Sequence, residues 1–172
     1  DQFGRDILSR VMSGATSLIL VAGSGAVVGI ALGALVGMST AYRGGRVDEV
    51  VMRAMDGLMS FPSLLMALLV LTTLGPSSIN ISAAVAVVSM PRVARVVRSV
   101  TLTLKEMEFV QSARLRGEGA PYIILREILP NTLQVLGVEL SVRLSYAILT
   151  VSSLGFLGLG VQPPSPDWGL MI

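Results

Sequence analysis

Residues 11–42, VMSGATSLILVAGSGAVVGIALGALVGMSTAY, contain no Asp, Glu, Lys or Arg. At about 1.5 Å per residue, this stretch as a helix crosses the roughly 30 Å hydrocarbon core of a bilayer with length to spare. Residues 57–91 are likewise uncharged. A helix of a soluble protein shows polar side chains on its outer face, and neither stretch can. The 172-residue chain is 52% hydrophobic and only 14% charged, against about 25% charged in an ordinary soluble domain, and its mean hydropathy is +0.75. The expected fold class is all-α: a polytopic transmembrane helical bundle of about four spans.

The first span is expected over residues 13–42. Gly25, Gly29, Gly33 and Gly37 recur every four residues on one of its faces. Lipid gives little hydrophobic drive for helix association, so such a ladder, which admits close backbone approach, is a common packing solution. Arg43-Gly44-Gly45-Arg46 breaks this helix. Residues 47–58 then form a short amphipathic, interfacial segment with Asp48, Glu49, Arg53 and Asp56 among apolar residues. A second span is expected over residues 59–74 with Pro62 in its first turn, ended by the Gly75-Pro76-Ser77-Ser78 turn. A third opens at Ile79 or Ile81 and leaves the membrane past Pro91 through Arg92, Arg95 and Arg98, spaced closely enough to share a helix face. A fourth, over residues 132–160, runs into Val161-Gln162-Pro163-Pro164-Ser165-Pro166-Asp167-Trp168. That proline cluster cannot continue a helix, and Trp168 suits a membrane interface.

If the spans alternate, Arg43, Arg46, Arg53, Arg92, Arg95, Arg98, Lys105, Arg114, Arg116 and Arg126, ten of the 13 basic residues, share one side. The positive-inside rule makes that side the cytoplasm. Residues 75–80 carry no charge and residues 161–172 only Asp167, so both are expected outside. Alternation also starts the chain outside, and an earlier span is therefore expected ahead of Asp1. Residues 1–10 are polar and mixed in charge and do not read as a signal peptide.

The chain has no cysteine and no histidine. Disulfides, Cys or His nucleophiles, His bases and the usual zinc or iron ligand sets are thereby excluded. The net charge of +2 and pI near 9.5 do not point to nucleic acid, because the basic residues flank apolar spans instead of forming a patch with interleaved aromatics. No phosphate-cradling GxxxxGK[ST] occurs.

Residues 105–131, KEMEFVQSARLRGEGAPYIILREILPN, form the one long charged loop. It divides into two short helices around Gly117-Glu118-Gly119-Ala120. The first places Phe109, Ala113 and Gly117 on one face and Arg114 and Glu118 on the other, with Glu106 and Glu108 in its first turn, where the helix dipole favours acids. Gly117 can end it in a left-handed conformation. Pro121 starts the second, where Ile124 and Ile128, and Leu125 and Leu129, pair at four-residue spacing. Pro130 then interrupts the amide ladder where the next span begins. Periodicity alone leaves two readings open, a loop lying on the membrane or a docking surface for a soluble partner.

The exact residues favour docking. QSARLRG (111–117) and ILPN (128–131) resemble the EAA loop of permease subunits in bacterial ABC importers, with its Glu-Ala-Ala, a glycine four residues later, and a terminal Ile-Leu-Pro or Ile-x-Leu-Pro. The segments DQFGRDILSRVMSGATSL (1–18), AYRGGRVDEVVMRAMDGLMSFPSLLMAL (41–68) and SLGFLGLGVQPPSPDWG (153–169) resemble the dipeptide and oligopeptide (DppC/OppC-like) branch. The resemblance implies a coupling helix seated in a groove of a nucleotide-binding ATPase, with Gln111, Ser112, Ala113 and Gly117 as docking residues. Arg114 and Arg116 could meet acidic groups there, and Arg116 could equally contact anionic lipid headgroups. Gln111 replaces the usual Glu and Ser112 the usual Ala, so docking is expected to depend on Ala113 and Gly117 more than on an ion pair.

The resemblance further implies a heterodimer with a homologous permease subunit, two ATPase subunits that bind the ATP, and an extracytoplasmic solute-binding protein, all at the bacterial inner membrane. This chain would hydrolyse nothing, need no cofactor and pass di- or oligopeptides. Residues 1–172 are expected to be a single permease transmembrane domain lacking an N-terminal and a C-terminal span. Within the last span, Glu139 and Arg143 stand four residues apart in the favourable order. Charges inside a membrane are expensive and often functional, so the two could line a translocation path; a snorkelling or purely structural pair fits equally. An ion-coupled secondary transporter or channel, which would use such charges at mid-depth, is the alternative.

Overall fold

The computed structural model describes residues 6–161 and 166–171. The opening residues 1–5 and residues 162–165 of the proline cluster, both used above, lie outside the described residues. The elements in order are α1 (Ile7–Arg43), α2 (Gly45–Met59), α3 (Ser63–Leu74), α4 (Ser78–Leu104), α5 (Glu108–Leu115), α6 (Ala120–Tyr122), a π-helical stretch (Ile123–Ile128), α7 (Leu129–Phe156) and α8 (Trp168–Met171). The chain is all-α among the described residues. Three helices are long and apolar enough to cross a membrane: α1, α4 and the continuous run Ala120–Phe156. The bent pair of α2 and α3 makes a fourth if it is counted as one span.

Three expectations need correction. The second span is not a straight helix over residues 59–74. Pro62 stands ahead of α3 with an extended ψ of 130°, and the 12 residues of α3 reach about 18 Å, short of a bilayer core. Pro130 does not separate a second loop helix from the last span. A six-residue π-helical stretch precedes it, and the Leu129 amide donates to the Ile124 carbonyl, five residues back. The wider turn accommodates a ring that would otherwise crowd the carbonyl four residues before it. Third, α1 starts at Ile7, six residues earlier than expected.

The helix ends have local causes. Gly44 and Gly45 have φ of 67° and 61°, a region other residues enter at a penalty, and α1 therefore stops and α2 starts within one residue. Ser77 caps α4, its hydroxyl accepting from the Asn80 amide at 3.1 Å, while the Asn80 side-chain amide donates to the Leu74 and Gly75 carbonyls, both at 2.9 Å.

The chain forms two compact units. The first takes residues up to Val28, Pro62–Val88 and the chain from Val142 onward. Its core is Leu18, Val21, Ala22 and Ala26 of α1, Ala67 and Leu71 of α3, Ile81, Ala84 and Val85 of α4, and Ala147, Val151 and Leu154 of α7. Small residues let these helices meet at their backbones. A Cβ on Gly25 would lie 2.6 Å from the Ser82 carbonyl oxygen, and the Ser82 hydroxyl donates to the Val21 carbonyl at 2.9 Å.

In the same unit the buried Asp167 carboxylate accepts from the Gly169 amide at 2.7 Å, the Leu170 amide at 3.3 Å and the Val161 amide at 3.1 Å. It caps α8 and closes the turn after α7. The indole of Trp168 donates to the Val11 carbonyl at 2.9 Å and covers Gly14.

The second unit takes Gly29–Phe61 and Ser89–Ser141. Ile30, Ala34 and Met38 of α1, Val93 and Val97 of α4, Val110 and Ala113 of α5, and Ile123 and Ile128 form its core. Gly33 and Gly37 again bring α1 onto α4, since Cβ atoms there would lie 2.7 Å from the Met90 oxygen and 2.5 Å from the Ala94 oxygen. Gly29 is buried on the same helix.

Candidate functional site

The charged loop lies wholly in the second unit, and its base is fixed by polar bonds. The Lys105 ammonium, at the end of α4, donates to the Ala41 carbonyl of α1 at 3.2 Å. The Glu106 and Met107 amides tighten the exit from α4 with bonds to the Thr103 and Leu104 carbonyls. Helix α5 follows at once and turns Val110 and Ala113, both 0% exposed, into the core.

Of the expected docking residues, Ala113 faces the protein's own interior. The outward face of α5 carries Gln111, Ser112, Arg114 and Leu115. Leu115 was not singled out in the sequence, yet at 89% it is the most exposed large hydrophobic side chain among the described residues. Once Ala113 is seen to face inward, Leu115, two residues on, must point to a different side.

Each remaining loop residue has a definite setting. The Gln111 side-chain amide donates back to the Glu106 carbonyl at 3.0 Å, so its polar end secures the loop entry. The Arg114 guanidinium lies 5.1 Å over the Tyr42 ring, and its Nε is 3.4 Å from the Tyr42 hydroxyl. This cation–π contact holds the arginine against α1 with its far edge outward.

Gly117 ends α5 with φ of 84°. The Glu118 amide donates to the Ala113 carbonyl at 3.2 Å and the Gly117 amide to the Arg114 carbonyl at 3.0 Å, which together make a Schellman motif with Gly117 at C′. A Cβ on Gly117 would meet nothing within 4 Å, so the glycine is required by backbone conformation and not by space. Arg116 stands 3.5 Å from Glu127 and 4.0 Å from Glu118, bracing the two arms of the loop.

Beneath the loop, α2 is clamped to α4. The buried Asp48 takes a bidentate pair from Arg98, at 2.8 and 2.6 Å, and Asp56 pairs with Arg95. Glu139 and Arg143 fall in different units. Both are half-buried, and the Arg143 guanidinium lies 6.0 Å over the Tyr146 ring. Among the described residues, no group of three or more His, Cys, Asp or Glu could hold a metal ion.

The chain is 42% identical over its full length to the glutathione transport system permease protein GsiD of Pectobacterium atrosepticum. It is 44% identical to GsiD of Escherichia coli and 39% identical to the di/tripeptide transport system permease protein DppC of Pseudomonas aeruginosa, again over its full length. In each case it spans 57% of the relative's length. Residues 8–172 match the family described as binding-protein-dependent transport system inner membrane component. With nearly all of its residues inside that match and its apolar helices long enough to cross a membrane, the chain belongs to the family of binding-protein-dependent transport system inner membrane components.

Proposed function

We propose that this chain is the core of a multi-pass permease subunit that passes short peptides through the bacterial inner membrane, driven by ATP hydrolysed in separate ATPase subunits. The observation that carries the reading is α5. Its inner residues are locked into the core while Gln111, Ser112, Arg114 and Leu115 stand outward, a shape suited to seating in a groove. Leu115 would be the apolar anchor, Arg114 would meet an acidic side chain, and Gly117 would set the angle at which the helix ends. Gln111 and Ser112 would lie at the rim. The basic residues support a cytoplasmic loop, because ten of 13 fall on the loop's side if the spans alternate.

A homologous permease subunit and an extracytoplasmic solute-binding protein complete the proposed assembly. Supporting the second subunit, only 17% of the apolar window of Ala120–Phe156 is buried, against 44% in α1 and α4. Its exposed side includes Gln134, whose amide is poorly suited to lipid. A path along α7 would therefore pass Glu139 and Arg143. Glutathione is itself a tripeptide, so the names of the relatives converge on cargo of two or three residues.

Proteoliposomes holding this permease with its partner permease, ATPases and binding protein test the reading. Uptake of labelled tripeptide should require internal ATP and survive a protonophore. Uptake that persists without ATP and collapses with the ion gradient would establish the secondary-transporter alternative instead.

A further inference from the structure

Helix α2 sorts its charges by direction. Its acids Asp48 and Asp56 turn to Arg98 and Arg95 of α4, and Met52 is buried with Asp48. Glu49 pairs with Arg53 at 2.7 Å. Arg43, at the end of α1, and Arg46, in the first turn of α2, are exposed, and neither has an ion-pair partner among the described residues. Next to them in α2, Val47 and Val50 are 49% and 65% exposed, and Phe61, between α2 and α3, is 58% exposed. Arg46 and Val50 stand four residues apart on one face of α2, so the unpaired Arg46 borders exposed apolar surface.

The chain also leaves α2 little freedom to move away from a bilayer. Only Gly44 separates it from α1, a helix long and apolar enough to cross, and three residues separate it from the uncharged α3. A helix tethered so closely at both ends stays near the membrane surface. There, a face that joins exposed valines to uncompensated guanidinium groups can place the former at the acyl boundary and the latter on phosphates. We propose that the outer face of α2, carrying Arg46, Val47 and Val50, together with Arg43 at the end of α1 and Phe61 between α2 and α3, binds anionic phospholipid.

The chain has no cysteine, so V50C supplies the only thiol in this chain for a bimane label, read in proteoliposomes that contain brominated lipid. Brominated phosphatidylglycerol should quench the label more strongly than brominated phosphatidylcholine at equal mole fraction. Replacing Arg43→Gln and Arg46→Gln should lower that preference roughly fivefold per arginine. Equal quenching by the two lipids overturns the proposal, and so does a preference that the double substitution leaves intact. A label that lipid never reaches but an added ATPase subunit shields would assign this face to a protein partner, again overturning it. Should the double variant fail to fold, the comparison of lipids on V50C alone still decides.

Discussion

The two units are joined internally by different chemistry. In the first, side chains bond to backbone: Ser82 to the Val21 carbonyl, Asn80 to the Leu74 and Gly75 carbonyls, Trp168 to the Val11 carbonyl, and Asp167 to three amides. In the second, Lys105 and Gln111 also reach backbone carbonyls, and charged side chains in addition pair with each other: Asp48 with Arg98, Asp56 with Arg95, Glu49 with Arg53, and Arg116 with Glu127. Backbone groups need partners at any depth, whereas charges need water or an opposite charge. The first unit thus satisfies the backbone groups of its turns with side chains, and the second holds its charges together in pairs.

The sharpest way to break this contrast is to remove one member of the Asp48–Arg98 pair. Asp48→Leu leaves the guanidinium in a half-buried site and should destabilise the protein by about 3 kcal/mol, the low end for a buried pair because Arg98 keeps a third of its surface. Thermal unfolding in detergent measures this, and adding Arg98→Leu should restore most of the loss.

Glycine contacts are shared by both units, so substitutions there should ignore the contrast. Gly25→Ala in the first unit and Gly37→Ala in the second press a Cβ onto backbone atoms and should each cost about 2 kcal/mol. Gly23→Ala, with only the Leu144 side chain at 3.9 Å, should melt like the parent. If Gly23→Ala is as damaging as Gly37→Ala, close packing is not what these glycines serve.

The first unit's own signature is tested by Asp167→Ala, expected to cost about 1–2 kcal/mol through the lost cap of α8 and the freed Val161 amide. Faster proteolysis after α7 would report it. The smallest effect is expected at the loop: Gly117→Ala should cost about 1 kcal/mol through its left-handed backbone, and Gln111→Ala almost nothing.

The sequence carries the large features plainly, because they rest on local chemistry. Uncharged runs mark the spans, and Gly44, Gly75 and Gly117 mark their ends or turns. The close approach of Gly25, Gly33 and Gly37 to α4 follows from a four-residue ladder. Features that depend on tertiary choice are less legible. Nothing within α5 says that Val110 and Ala113 turn inward, because its eight residues carry apolar side chains on more than one side and the core decides between them. Pro130 predicts a break, yet the π-helical turn before it keeps the helix continuous. Asp48 and Asp56 are visible as acids of an amphipathic segment, but their engagement by Arg98 and Arg95 depends on how α2 and α4 pack.

The central claim is that α5 seats in an ATPase with Leu115 as its anchor, and Leu115→Asp addresses it with least risk to the fold, since that side chain is 89% exposed. Tripeptide uptake by the reconstituted transporter, measured together with co-purification of the ATPase subunits, is expected to fall at least tenfold, while melting stays as in the parent. Normal uptake with the ATPase still bound would contradict the claim.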